Sequence, residues 1–241
     1  MIFMKKTIFI IALIFTVGIF YSCKSIKGKG EVVSESRSQE DFTGINLCID
    51  GDVYYTAGSA LTCNIQAQQN IINIIETTVK DNILTLKFKD YYTVRKHEPV
   101  KFYISAPNVN DFEVSGSGNI YITNPISPST VKLNISGSGN INANSINSSA
   151  INATINGSGK IVTDAGNVDN EVLTISGSGN IDMHNVMASN VNIIISGSGD
   201  LTVYATDILD IIISGNGNIY YSGSPTITQN ISGSGTITHV P

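Results

Sequence analysis

Basic side chains nearly vanish from the second half of this chain. From Ser115 onward there is no arginine, and Lys132 and Lys160 are the only lysines. Nucleic-acid binding needs a basic stripe to neutralise phosphates, so the repeats described below cannot serve it. An apolar leader carrying Lys5 and Lys6 would take two of the 14 basic residues with it on removal. That leaves 14 − 2 = 12 against 19 acidic residues, a net charge of −7. Such a balance gives the whole chain no electrostatic reason to bind nucleic acid or anionic lipid.

Residues that carry chemistry are equally sparse. His97, His184 and His239 lie in separate units with no metal-ligand spacing and read as solitary surface side chains. Asp182 and Asp200 fall in different columns of the repeat, so no paired carboxylates emerge for glycosidic chemistry. Asp164, Asp169 and Glu171 share one loop-like stretch, and Asp207 and Asp210 another. These read as solvated turn formers rather than a calcium site. Serines are abundant but have no basic partner. No catalytic residue, cofactor or metal is expected, and the chain does not read as an enzyme.

Cysteine is limited to Cys23, Cys48 and Cys63. Cys48 and Cys63 lie in strand-like segments, and an exported chain would permit a bridge between them. The register below does not stack them, so two buried thiols are favoured over a disulfide.

What the chain does have is a repeat. Seven Ser-Gly-Ser-Gly-like tetrapeptides begin at Ser115, Ser136, Asn156, Ser176, Ser196, Ser214 and Ser232, 18 to 21 residues apart. One residue before each start stand Val114, Ile135, Ile155, Ile175, Ile195, Ile213 and Ile231. Five after it stand Ile120, Ile141, Ile161, Ile181, Leu201, Ile219 and Ile237. Period two on both sides of a fixed corner marks strands with one buried face. A constant period near 20 residues marks stacked units. The expected fold is all-β: a single-stranded parallel β-helix, or β-solenoid, wound right-handed with coils of about 18–21 residues. The paired glycines are expected to turn each corner through positive φ, with the residue between them bonding nearby amides.

The pattern continues upstream in weaker form. Asp50 to Thr56 matches Ser117 to Thr123, and Leu61 to Ile65 echoes Val131 to Ile135, so the stack should begin near Phe42. Residues 76–105 break the pattern with alternating strands, a Lys80-Asp81-Asn82 turn and the charge-rich stretch Asp90 to Pro99. This reads as a β-hairpin insertion capping or flanking the solenoid, whose open end would expose unpaired strand edges.

Residues 1–22 read as an export signal: Lys5 and Lys6, then the apolar run Ile8 to Phe20. An uncleaved membrane anchor is the other reading of the same run. Ser22-Cys23 after it resembles the lipobox of bacterial lipoproteins, which implies lipidation at Cys23 and a membrane contact made through that anchor. Residues 23–40 are then expected to be a tether, flexible through the Lys-, Gly- and Ser-rich Lys24 to Gly30, and 41–241 a single solenoid domain. In some lipoproteins an acidic cluster after the cysteine marks surface export. Lys24, Lys27 and Lys29 stand there instead, which leaves periplasmic and surface faces both open.

The ordered series Asp41 to Ile45, Gly51 to Tyr54, Val79 to Leu86, Val100 to Pro107 and Val114 to Gly118 resembles a family of bacterial envelope proteins common in Bacteroidetes. That family is described as putative auto-transporter adhesin, head GIN domain. Asp50 departs from it, since relatives often carry the serine–glycine turn there. The resemblance implies a β-helical domain in the cell envelope and an adhesive role, and it supplies no catalytic residues.

Tyrosines are the remaining candidates for contact. Tyr54, Tyr121 and Tyr220 share the outward position after the isoleucine column, while Tyr91, Tyr92 and Tyr103 lie in or near the charged insertion. Outward aromatics can stack on sugar rings or on a partner protein, though they also simply suit strands. The functional expectation is a non-enzymatic, outer-membrane-anchored lipoprotein presenting a solenoid surface for adhesion or scaffolding, with a glycan or an envelope or host protein as partner. A carbohydrate-active β-helix protein and a ligand-free periplasmic structural protein are the alternatives.

Overall fold

The computed structural model describes residues 24–241; the leader and Cys23 lie outside the described residues. Strands account for nearly all regular structure, and the coils wind into a parallel β-solenoid of about six turns. Each coil offers one strand before its corner and one after it.

The pre-corner strands Asp111–Val114, Thr130–Ile135, Ile146–Ile155 and Gly166–Ile175 pair in parallel, rung on rung. The post-corner strands Asn119–Ile122, Asn140–Ala143 and Lys160–Thr163 do the same on a second face. The register follows the repeat: Ile135 lies beside Ile155 and Ile155 beside Ile175, while Ile120 lies beside Ile141 and Ile141 beside Ile161. These side chains are buried, which makes the expected aliphatic ladder the core. Each fully buried isoleucine contributes about 1.5–3 kcal/mol relative to exposure.

The corners work by a different device from the one the sequence suggests. None of the paired corner glycines up to Gly217 takes positive φ. Instead the corners stack so closely that a Cβ on Gly137 would overlap the Gly116 carbonyl oxygen, and one on Gly157 that of Gly137. Glycine is required by close approach, not by handed φ. The residue between the glycines bonds through its backbone: Ser158 N–H donates to Gly137 O at 3.1 Å and Ser178 N–H to Gly157 O at 3.1 Å. Four residues past each start runs a second ladder. Asn119 Nδ2 donates to Asp52 Oδ1 at 2.8 Å, Asn140 Nδ2 to Asn119 Oδ1 at 2.8 Å, and the Lys160 amide to Asn140 Oδ1 at 2.9 Å.

Residues 24–106 close one end of this stack. Their elements are β1 (Lys24–Lys27), β2 (Val32–Ser36), β3 (Gly44–Leu47), β4 (Asp52–Ala57), β5 (Thr62–Gln68), α1 (Gln69–Ile72), β6 (Ile75–Lys80), β7 (Ile83–Phe88), β8 (Tyr92–Arg95) and β9 (Lys101–Ala106). β3 and β4 form a true rung under Asp111–Val114 and Asn119–Ile122, so the stack does begin near Phe42. β6 and β7 form the expected hairpin around Asp81 and Asn82, whose φ values of 52° and 62° suit a two-residue turn. β7 and β9 then slide beneath β3 and β4 as a further parallel rung.

Two expectations give way here. Leu61 to Ile65 is no degraded coil, because β5 runs antiparallel to β9 and to β2. Alternation alone cannot distinguish parallel from antiparallel neighbours. Nor do residues 24–36 form a flexible tether: β1 pairs in parallel with β8, and β2 pairs with β5. Ile26 and Val94 pack against the core, and Asn70 fastens the segment by accepting from Lys29 N–H at 2.9 Å and donating to Lys27 O at 2.7 Å.

Candidate functional site

The outward column after the isoleucines gathers three tyrosines at the capped end. Register places Tyr103 of β9 beside Tyr54 of β4, and Tyr54 beside Tyr121 of the next rung. Their rings stack, Tyr54 on Tyr103 at 5.2 Å between centroids and 15° between planes, and Tyr54 on Tyr121 at 5.1 Å and 13°. The inner ring faces are therefore consumed by neighbours, and the ladder presents ring edges and hydroxyls to solvent. Only the end rings keep an open face.

The open face of Tyr121 looks along the column toward Asn142, its register partner on the following rung. There Tyr54, Tyr121, Thr123, Asn142, Asn144 and Asp164 line a shallow depression of about 330 Å³. At the other end Tyr54, Thr62, Asn64, Tyr103 and Thr123 border one of about 290 Å³. Burial pushes the Tyr121 hydroxyl above its ordinary pKa, and Asp52 and Tyr54 add to this, so it stays a neutral donor at physiological pH. One aromatic face beside amide, hydroxyl and carboxylate groups is suited to a ring with an apolar face and hydroxyl edges.

The other proposed contact residues do not join this site. Tyr220 occupies the same column but stands at the far end, between Thr202 and Thr238. Tyr91 and Tyr92 belong to the β8 ribbon, where Lys24 Nζ sits 5.7 Å from the Tyr92 ring centroid. By sequence Tyr103 falls near that insertion; the folding of β9 beneath β4 places it in the ladder. The lipidation residue Cys23 lies outside the described residues. Cys48 and Cys63 are free thiols, Cys63 buried and Cys48 half-buried, which corrects the expectation that both are fully inside.

Elsewhere the acids rearrange. Glu171 does not sit in a loop: it lies in the strand Gly166–Ile175 facing the core. Asp207 and Asp210 likewise belong to the strand Leu201–Ile213. His184 is not solitary, since its Nδ1 lies 2.7 Å from Asp182, two residues earlier on the same face, while Lys160 Nζ reaches that carboxylate from the rung before at 3.4 Å. Burial opposes ionisation of Asp182, but the His184 hydrogen bond and the Lys160 charge outweigh it and hold the carboxyl below its ordinary value. A concavity of about 590 Å³ is lined by Pro107, Val109, Pro125, Ile126, Pro128 and Tyr55, whose hydroxyl donates to Ala106 O at 2.9 Å.

The family described as putative auto-transporter adhesin, head GIN domain, matches residues 41–225. The chain belongs to that family. A crystal structure of a putative adhesin from Bacteroides fragilis is similar to this head GIN protein at 30% identity and a TM-score of 0.82, covering 89% of this chain and 100% of that one. A putative adhesin from Parabacteroides distasonis matches at 26% identity and 0.75, over 90% and 100%. A second protein from that organism, described as a putative lipid binding protein, shares the fold at 24% identity and 0.77, over 90% and 100%. No curated protein matches the chain. Among the described residues of this head GIN domain no helix is long and apolar enough to cross a membrane.

Proposed function

We propose that this head GIN protein is a non-enzymatic lipoprotein of the cell envelope, anchored to the outer membrane at Cys23, that adheres to glycans through the open face of Tyr121. The observation that carries the reading is the Tyr103–Tyr54–Tyr121 stack. It holds one aromatic ring rigidly against a depression edged by Asn142, Asn144 and Asp164. A pyranose would lay its apolar face on that ring and direct hydroxyls to the amides and the carboxylate. Preorganisation matters here, because a ring already fixed by stacking loses little freedom on binding. The adhesin descriptions of the family and of similar structures are consistent with this role. They do not assign a ligand.

The test is a glycan panel applied to the full chain and to Tyr121→Ala. Binding to a neutral or acidic glycan that falls at least tenfold in the variant, about 1.4 kcal/mol, supports the proposal. Binding equal in both chains removes it, and release of reducing or unsaturated ends would replace adhesion by cleavage.

A further inference from the structure

We infer that the β1–β8 ribbon is a membrane-resting surface, holding the capped end of the solenoid against anionic phospholipid headgroups. The net charge of the chain argues against any such contact, but the charges are segregated along the sequence. Residues 24–101 carry ten basic and ten acidic side chains, whereas 102–241 carry two and nine. Within the former half, Lys24, Lys27, Lys29, Arg95 and Lys96 gather on the ribbon and its adjoining turns, and all five are exposed. Acids adjoin them: Glu31, Asp90 and Glu98 lie nearby in sequence, and Asp50 and Asp52 share a depression with Val94 and Lys96. Asp90 is paired with Lys87 at 3.3 Å and Asp52 accepts from Asn119 at 2.8 Å.

The ribbon's geometry favours an external anion. Lys27 and Arg95 are register partners in adjacent parallel strands. Like charges directly opposite each other destabilise a strand pair unless something neutralises them. Among the described residues neither side chain has an ion-pair partner. The ribbon is also built to stay in place. Ile26 and Val94 face the core, Asn70 holds Lys27 and Lys29, and the buried Gln68 donates to Gly30 O at 2.9 Å while accepting from Glu98 N–H at 3.1 Å. Beside it Tyr91, 57% exposed, offers an amphipathic ring of the kind found at headgroup depth.

Position supplies the occupant. Lys24 N–H donates to Tyr91 O at 2.7 Å, so the ribbon begins at the residue that directly follows Cys23. An acyl chain at Cys23 would leave little slack between the bilayer and this basic surface, and Lys27 and Arg95, on the ribbon face opposite Ile26 and Val94, would meet the negative leaflet. This step rests on the anchor reading above; the charge arrangement does not.

The experiment separates the two. The full chain is purified from envelopes and reconstituted in vesicles of phosphatidylcholine alone or mixed with phosphatidylglycerol. Mass spectrometry of the N-terminal peptide reads acylation at Cys23, independently of the ribbon. Amine-reactive labelling then compares Lys27 and Lys29 with Lys132 and Lys160. The expected result is several-fold slower labelling of Lys27 and Lys29 on phosphatidylglycerol vesicles, reversed by salt, with Lys132 and Lys160 unchanged. In Lys27→Glu/Arg95→Glu, or in the exposed-turn variant Lys29→Glu should the double variant unfold early, that lipid dependence weakens or disappears. Equal labelling on both vesicle types overturns the inference. Should the peptide carry no acyl group, the anchor reading fails, and salt-sensitive retention of the unacylated chain on phosphatidylglycerol vesicles decides the ribbon: retention supports it, none overturns it.

Discussion

Glu171 stands directly beside Ile151 in an inward column that otherwise runs Val131, Ile151, Val191 and Leu209. It is 1% exposed, and neither carboxyl oxygen has a hydrogen-bond partner. Desolvation pushes its pKa from 4.5 to about 8.

A carboxyl whose folded pKa exceeds its unfolded value leaves stability intact below the unfolded pKa. It removes stability as pH rises toward the folded one. Here the loss develops between pH 4.5 and about 8, and in full it amounts to roughly 5 kcal/mol. Glu171→Val, matching Val131 and Val191, should stabilise the protein and should do so more at pH 8.5 than at pH 5. Denaturant melts at the two pH values check it. A variant with the same pH dependence as the parent would show that Glu171 finds a counter-charge.

Gly157→Ala should destabilise by at least about 1–3 kcal/mol. An alanine in an open strand position normally costs nothing and often helps, but this Cβ would meet the Gly137 carbonyl oxygen. Ser158→Ala, one residue on and exposed, should be near neutral. Thermal melts of the pair read the difference; equal melting temperatures would remove close approach as the reason for glycine.

Asn119→Ala breaks two links of the amide ladder, to Asp52 and from Asn140. The expected cost is about 1–3 kcal/mol, with faster amide exchange in Asn119–Ile122 and its neighbours. Asn142→Ala, in the outward column, serves as the control; among the described residues no side-chain ladder bond joins it to either rung.

Burial lifts the Cys63 thiol to about 11, against smaller opposing effects of Arg37 and Gln39. Cys48, half-buried, is raised less, chiefly by burial and then by Glu113. Alkylation of the native protein at pH 8 should therefore modify Cys48 first and Cys63 only after denaturation. Failure of both to react until a reductant is added would reveal a bridge.

The repeats could be read from sequence because each rung sees the same environment. Val114 and Ile120 are buried for the same reason as Ile213 and Ile219, so one alignment fixes every column. The β6–β7 turn was legible because Asp81-Asn82 tolerates left-handed φ. What escaped lies where spatial order departs from chain order. Tyr103 joins Tyr54 only because β9 tucks under a strand that precedes it. The strand at Lys24–Lys27 carries a single apolar residue, Ile26, too little to announce that it is packed. At Glu171 chemistry and pattern disagree: the charge suggests solvent, while the alternation points inward.

The weaving of the capped end sets a schedule for assembly. The coil built by Gly44–Leu47 and Asp52–Ala57 is flanked on one side by strands that come later, Ile83–Phe88 and Lys101–Ala106. A chain that emerges amino end first cannot finish its foundation until Ala106 has been delivered. From there each new turn has a completed floor to settle on, and growth can proceed storey by storey toward the carboxyl end.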